Sequence, residues 1–249
     1  MTFGFERLKR AIGFGAPTPR GTRSGVLGPL SPRDAYELWA DDYPPMAHNA
    51  LMRSEQSVVE PILAHLRPAR ALDVGTGSGR YIPILESTGA RIVIGVDYSL
   101  GMLTRGHDKV HRICADACQL PFRRGTFDLI NASLMMGDVA DLSECLRSMC
   151  RVLSSRGHIV YSDFHPSWSQ NGWRRTFHLQ GGHTCEVAIE PHTIEDHLYA
   201  LDQAGLHVQA IREPRLSLGN DGHAPSLLAF RRRWGNPPVV VVFHVMREP

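Results

Sequence analysis

Leu72-Asp73-Val74-Gly75-Thr76-Gly77-Ser78-Gly79-Arg80 is the stretch on which the reading of the chain turns. Ala71 to Val74 is a short apolar run of strand type, and Tyr81 to Glu86 continues as a helical stretch, so three alternating glycines stand between a strand and a helix. Such a turn brings main chain close to a ligand, because glycine reaches φ values closed to other residues and carries no side chain. A dinucleotide site uses G-x-G-x-x-G. Here the third glycine comes one residue early and Arg80 fills the expected place, which argues against NAD or FAD. Taken alone, the glycines also suit an ordinary tight turn.

Working outward, strand-like and helical segments alternate from Arg70: Ile92 to Val96, Gly101 to Gly106, a strand near Ile113, Phe127 to Ala132, a helix at Ser143 to Leu153 and a strand at His158 to Ser162. This βαβ rhythm predicts an α/β fold on a parallel sheet. Asp97 ends the second strand, 22 residues after Gly75, where a carboxylate bonds a ribose in nucleotide-type folds. Asp116, in Cys114-Ala115-Asp116-Ala117, follows the third strand and can accept from an exocyclic amine. Either aspartate alone reads equally as a solvated loop residue or a helix cap. Together, at successive strand ends beside this turn, they point to adenosine.

Upstream, Ser31-Pro32-Arg33-Asp34 is a helix start, and Leu51 to Leu66 is a second helix with Pro61 inside it. The first thirty residues are rich in Gly and Pro, and their only periodic piece is Phe3, Phe5, Leu8, Ile12 and Phe14. Residues 1–30 are read as a flexible arm, and 31–249 as one domain. Residues 164–190, rich in Trp, His, Gly and Thr, carry Gly181-Gly182 between two strand-like runs, a hairpin signal. A helix at Ile194 to Ala204, a strand at Val208 to Ile211 and a final strand at Val239 to Val245 close the chain.

Composition bounds the function. At 249 residues with 43% hydrophobic content, one large domain is expected. The 27 basic and 25 acidic side chains leave a net charge of +2, too little to steer the chain to nucleic acid or an anionic membrane. With no apolar run approaching about 18 residues, a cytoplasmic protein with no membrane partner is expected. The five cysteines imply no disulfide framework, and Cys114 and Cys118 lack the paired Cys-x-x-Cys module of a zinc site, so no metal is expected.

On these residues the chain resembles the class I S-adenosylmethionine-dependent methyltransferases of the small-molecule type, best over residues 34–163. The resemblance implies a Rossmann-like, doubly wound sheet of seven mostly parallel strands with an antiparallel last strand, helices on both faces and a hairpin inserted after strand five. It implies S-adenosyl-L-methionine as cofactor, with Gly75, Thr76 and Gly77 against its methionine part and Asp73 supporting the turn. Asp97 would bind both ribose hydroxyls, Tyr98 and Met102 would flank adenine and ribose, and Asp116 with the Ala117 backbone would meet the adenine amine. Ser133 would lie beside the sulfonium. Tyr43, in a helical cover over 31–66, would close over the cofactor, and Arg53 is a candidate for its carboxylate.

Many relatives carry His shortly after strand four, where this chain has Leu134-Met135-Met136-Gly137-Asp138-Val139, so no polar catalytic group is expected there. The loop after strand five makes His165 the candidate general base, with His183 second. Trp168, Trp173, Phe177, His178 and His183, in the insertion over 164–192, would cover a small, apolar or planar acceptor. Arg231-Arg232-Arg233-Trp234 reads as a phosphate site or a solvated basic turn. Two alternatives stay open: an RNA or protein methyltransferase, which would call for a broad basic face or an added recognition domain, and a cofactor-binding protein without transfer activity.

Overall fold

The apolar run before the glycine turn forms β3 (Arg70–Val74), the centre of a seven-stranded sheet in the computed structural model, which describes residues 14–15, 26–105, 111–179, 183–216 and 224–248. The chain passes from β3 through α3 (Ile82–Ser87), β4 (Ile92–Asp97) and α4 (Leu100–Thr104) to β5 (His111–Cys114) at one edge. It then returns to the other side of β3 as β6 (Phe127–Ala132), α5 (Leu142–Val152) and β7 (Leu153–Phe164). After α7 (Ile194–Gln203) come β10 (Leu206–Arg212) and β11 (Val240–Arg247), giving the order β10-β11-β7-β6-β3-β4-β5. Pairing is parallel from β5 to β7, and β11 runs antiparallel to both β7 and β10. The strand order reverses at β3, so a crevice opens beyond the carboxyl ends of β3, β4 and β6, where open α/β sheets hold their ligands.

Both faces of the sheet are covered, which is why its central strands are apolar almost throughout. On one face Leu72, Ile130 and Phe243 pack against Cys145, Leu146 and Met149 of α5 and Ala200 and Leu201 of α7. On the other, Ala71, Leu129 and Val240 meet Leu51, Val59 and Leu63 of α2 (Ala50–Ala64) and Leu227 and Phe230 of α8 (Ala224–Trp234). Ser31 caps α1 (Pro32–Trp39) by accepting from the Asp34 N–H at 3.1 Å, as its sequence predicts. α8 corrects the reading of Arg231-Arg232-Arg233 as a turn: these residues form the last turn of a helix, where cations complement the negative end of the helix dipole.

A smaller sheet lies over the crevice. Its centre is the expected insertion, α6 (Ser167–Gln170) followed by the antiparallel pair β8 (Arg174–His178) and β9 (Thr184–Val187); Gly181-Gly182 lie outside the described residues. Strands β1 (Phe14–Gly15) and β2 (Val26–Leu30) flank the pair. Order therefore begins before Ser31, and residues 26–30 of the expected arm are strand; most of the arm, with its periodic Phe3 to Ile12, lies outside the described residues. Pro29 masks the signal of β2, and proline is tolerated there because β2 is an edge strand. Phe177, Cys185 and Val187 of the hairpin and Ala35 of α1, with Leu30 and Trp39 packed against them, form a third small core that ties this cover to the N-terminal helix.

Candidate active site

The glycine turn is held by hydrogen bonds that begin in the buried end of β3. Asp73, 2% exposed, accepts from Thr76 Oγ1 at 2.7 Å and from Asn131 Nδ2 at 2.7 Å. Burial raises its carboxyl to about 6 against these two bonds. The Thr76 N–H donates to Val96 O at 2.9 Å, which stitches the turn to β4. Gly75 and Gly77 sit at φ +66° and +56°, and a Cβ on Gly75 would stand 2.7 Å from Met135 Cβ. Asp97, half-buried at the end of β4, accepts from the Gly77 N–H at 2.7 Å on Oδ2 and from the Ser99 N–H at 2.8 Å on Oδ1. Burial raises its carboxyl while these N–H groups hold it down.

The turn opens into a cavity of about 660 Å³. Asp73, Gly75, Thr76, Gly77, Asp97 and Ser133 line it at the sheet; Ser133 Oγ donates to Asn131 Oδ1 at 3.2 Å. Tyr98, Met102, Asp116 and Ala117 line one end. There Arg33 lies 4.7 Å over the Tyr98 ring, and Asp116 Oδ1 accepts from the Cys118 N–H at 2.8 Å. Tyr43 lines the roof, its ring edge-on to Trp39 at 4.8 Å. The structure thus brings these residues, though not Arg53, into the lining of one cavity.

At the other end the cavity is walled by Tyr36, Trp39, Phe164, Trp168, Phe177 and His178. Trp39 of α1 stacks on Phe177 of β8 with centroids 4.6 Å apart, so the N-terminal helix and the hairpin close the roof together. Trp173 does not line this lobe; it is buried against Trp168, Phe230 and Trp234. His183 is exposed and outside it.

The loop after β6 does deliver a polar group: Asp138 lines the cavity and is ion-paired with Arg175 of β8. Burial raises the Asp138 carboxyl, and Arg175 opposes that shift. Leu134, on the same loop, is held at φ +56°, where a non-glycine residue is strained, while its N–H donates to Ser162 Oγ at 2.8 Å.

His165 does not line the cavity. Its Nδ1 accepts from the Ser167 N–H at 3.1 Å, which places the ring proton on Nε2, and Nε2 donates to Glu213 Oε1 at 2.8 Å. The ring is turned out of the cavity, which is lined by the preceding Phe164. His165→Gln is therefore expected to leave turnover within about twofold, the usual effect of a substitution away from a site. A hundredfold loss in a steady-state assay would return His165 to the chemistry.

Arg53 does not line the cavity either; Arg80 does. Arg80 Nη1 donates to Glu55 Oε2 at 3.0 Å, and the same oxygen accepts from Tyr81 Oη at 2.7 Å. Glu55 Oε1 accepts from Ser162 Oγ at 2.9 Å. This buried network, which ties α2 to β7 and to the residues after the glycine turn, leaves no mark in the apolar pattern of α2.

Residues 72–161, from the middle of β3 to near the end of β7, match the methyltransferase domain family. The fold is that of class I S-adenosylmethionine-dependent methyltransferases. The chain is 36% identical over 96 residues to a demethylmenaquinone methyltransferase of Mycobacterium marinum, an alignment covering 38% of this chain and 41% of the relative. The chain thus spans about two-fifths of the length of the curated relatives it matches. The solved S-adenosylmethionine-dependent methyltransferase of Mesorhizobium loti superposes with a TM-score of 0.60 at 22% identity, over 78% of this chain and 98% of that one. The cyclase SpnF superposes at 0.61 and 15% identity, over 90% of this chain and 99% of its own. A methyltransferase fold alone therefore does not name a reaction, and the site must.

Proposed function

We propose that this chain transfers a methyl group from S-adenosyl-L-methionine to a small organic acceptor. One observation carries the reading: a single cavity joins the glycine turn, Asp97 and Asp116 to an aromatic lobe under the hairpin. The residues fit an adenosyl cofactor. Gly75 and Gly77 form a cradle that side chains would fill, and Asp97 keeps acceptor capacity beyond its two backbone bonds for a pair of ribose hydroxyls. Asp116 stands where it can accept from an adenine amine. In this reading Tyr98 and Met102 flank the adenosyl group, and Ser133 and Tyr43 border the methyl-donating end.

When bound, the cofactor supplies an electrophilic methyl group on a sulfonium. What the chain adds is position and dryness. The carboxyl ends of β3, β4 and β6 fix the donor side, and the Trp39–Phe177 stack with Tyr36 and Phe164 excludes water from the acceptor side. Burial pushes the Tyr36 and Tyr43 phenols up, which makes a phenolate at either position still less accessible. The aromatic walls suit a planar acceptor, and demethylmenaquinone, named for the matched relatives, is a small-molecule acceptor. Among the described residues no helix is long and apolar enough to cross a membrane.

The test is incubation with methyl-labelled S-adenosylmethionine and three acceptor pools: planar phenols and hydroxyquinones, bulk RNA, and bulk protein. Label in the small-molecule pool is expected. Label in RNA or protein instead, or cofactor binding with no label anywhere, would overturn the proposal.

A further inference from the structure

Resting on the methyltransferase reading, the acceptor lobe also carries information about the acceptor itself. Arg175 lies in its wall with a side chain 8% exposed. Its Nη2 donates to Asp138 and, at 3.0 Å, to Ala188 O. Nε and Nη1 have no hydrogen-bond partner among the described residues. Buried N–H groups on a cation are costly to leave unmet, and native structures keep them where something completes them. The guanidinium carbon stands 5.2 Å from the Phe164 ring centroid and 5.7 Å from that of Tyr36, two rings that also line the lobe. The other arginines on the cavity are committed elsewhere: Arg33 lies over Tyr98 at the adenosyl end, and Arg80 pairs with Glu55.

We propose that the acceptor is a planar molecule bearing an acidic oxygen group, a carboxylate or an ionised ring hydroxyl, which accepts from Nε and Nη1 of Arg175. Phe164 and Tyr36 hold the ring, and Arg175 reads the charge. Asp138 orients the guanidinium and offsets its charge, so that a neutral analogue of the same shape leaves the donors short of a strong acceptor. Arg175 is here a specificity residue that touches the acceptor, and Asp138 is a positioning residue.

The full chain, saturated with S-adenosylhomocysteine, is titrated with 2-naphthoate and with 2-naphthamide, which share a ring system and differ in charge. The wild type is expected to bind the acid at least about tenfold more tightly, the effect of a charge-assisted hydrogen bond. Arg175→Gln is expected to abolish the preference while keeping the affinity for the amide and for S-adenosylhomocysteine. Asp138→Asn, which keeps an acceptor oxygen to orient the guanidinium but removes the competing charge, is expected to tighten the acid further; an unchanged or weaker affinity for the acid there would overturn the proposal should Arg175→Gln not fold. Equal affinity for the two probes, no binding of the acid, or an acid preference that survives Arg175→Gln would overturn the proposal. S-adenosylhomocysteine binding is read first, so loss of the cofactor reading is distinguished from loss of this one.

Discussion

Asp97→Ala is expected to weaken S-adenosylhomocysteine binding by more than about a hundredfold, from the loss of two or more charge-assisted hydrogen bonds worth about 1.5–3 kcal/mol each. The carboxylate has two tasks. It accepts from the Gly77 and Ser99 N–H groups, fixing the glycine turn and the start of α4, and it offers its remaining lone pairs to the cavity. Alanine abolishes both, so the turn loosens at the point where cofactor oxygens are lost. Asp97→Asn keeps one acceptor oxygen, and its loss is expected to fall between wild type and alanine. Calorimetry measures the three affinities, with the urea midpoint showing that each variant is folded. An alanine variant that binds within threefold of wild type would remove Asp97 from the site.

Glu55→Ala is expected to cost about 3–5 kcal/mol of stability, the usual penalty for removing one partner of a buried pair. Glu55 is 0% exposed and gathers the Arg80 guanidinium, the Tyr81 hydroxyl and the Ser162 hydroxyl on its two oxygens. Without it, a guanidinium 10% exposed has lost its counter-charge, while Tyr81 and Ser162 lose an acceptor. Removing the orphaned cation as well, in Glu55→Leu with Arg80→Leu, should recover part of the loss, because an apolar pair of similar volume carries no desolvation penalty. Equilibrium urea unfolding of the singles and the double gives the coupling. A Glu55→Ala loss below about 1 kcal/mol, the range of an exposed pair, would mean that the network does not hold α2 to the sheet.

How much of this is legible in the sequence depends on the range of the contact. The strand, turn and helix around Gly75 and Gly77 are local, and the positive φ values that the glycines permit are those the turn adopts. Asp97 and Asp116 are visible because βαβ alternation spaces strand ends regularly along the chain. Glu55 is invisible for the converse reason: its partners Arg80 and Ser162 are far away in sequence, and α2 reads as an ordinary amphipathic helix. Arg175 and Asp138 meet only because the hairpin folds back over the loop after β6. His165 shows a subtler limit. Strand alternation along β7 sends Tyr161 and Asp163 to His197 of α7 and Ser162 and Phe164 to the opposite face. His165 comes one residue after the strand, beyond the reach of that rule, and its partners Ser167 and Glu213 decide its direction.

A calorimetric titration of the whole chain with S-adenosylhomocysteine, with NADH as control, measures whether the cavity beside the glycine turn binds an adenosyl cofactor. One-to-one binding at about micromolar affinity or tighter, near 8 kcal/mol, is expected, with NADH silent. No heat from S-adenosylhomocysteine, or equal binding of NADH, would contradict it.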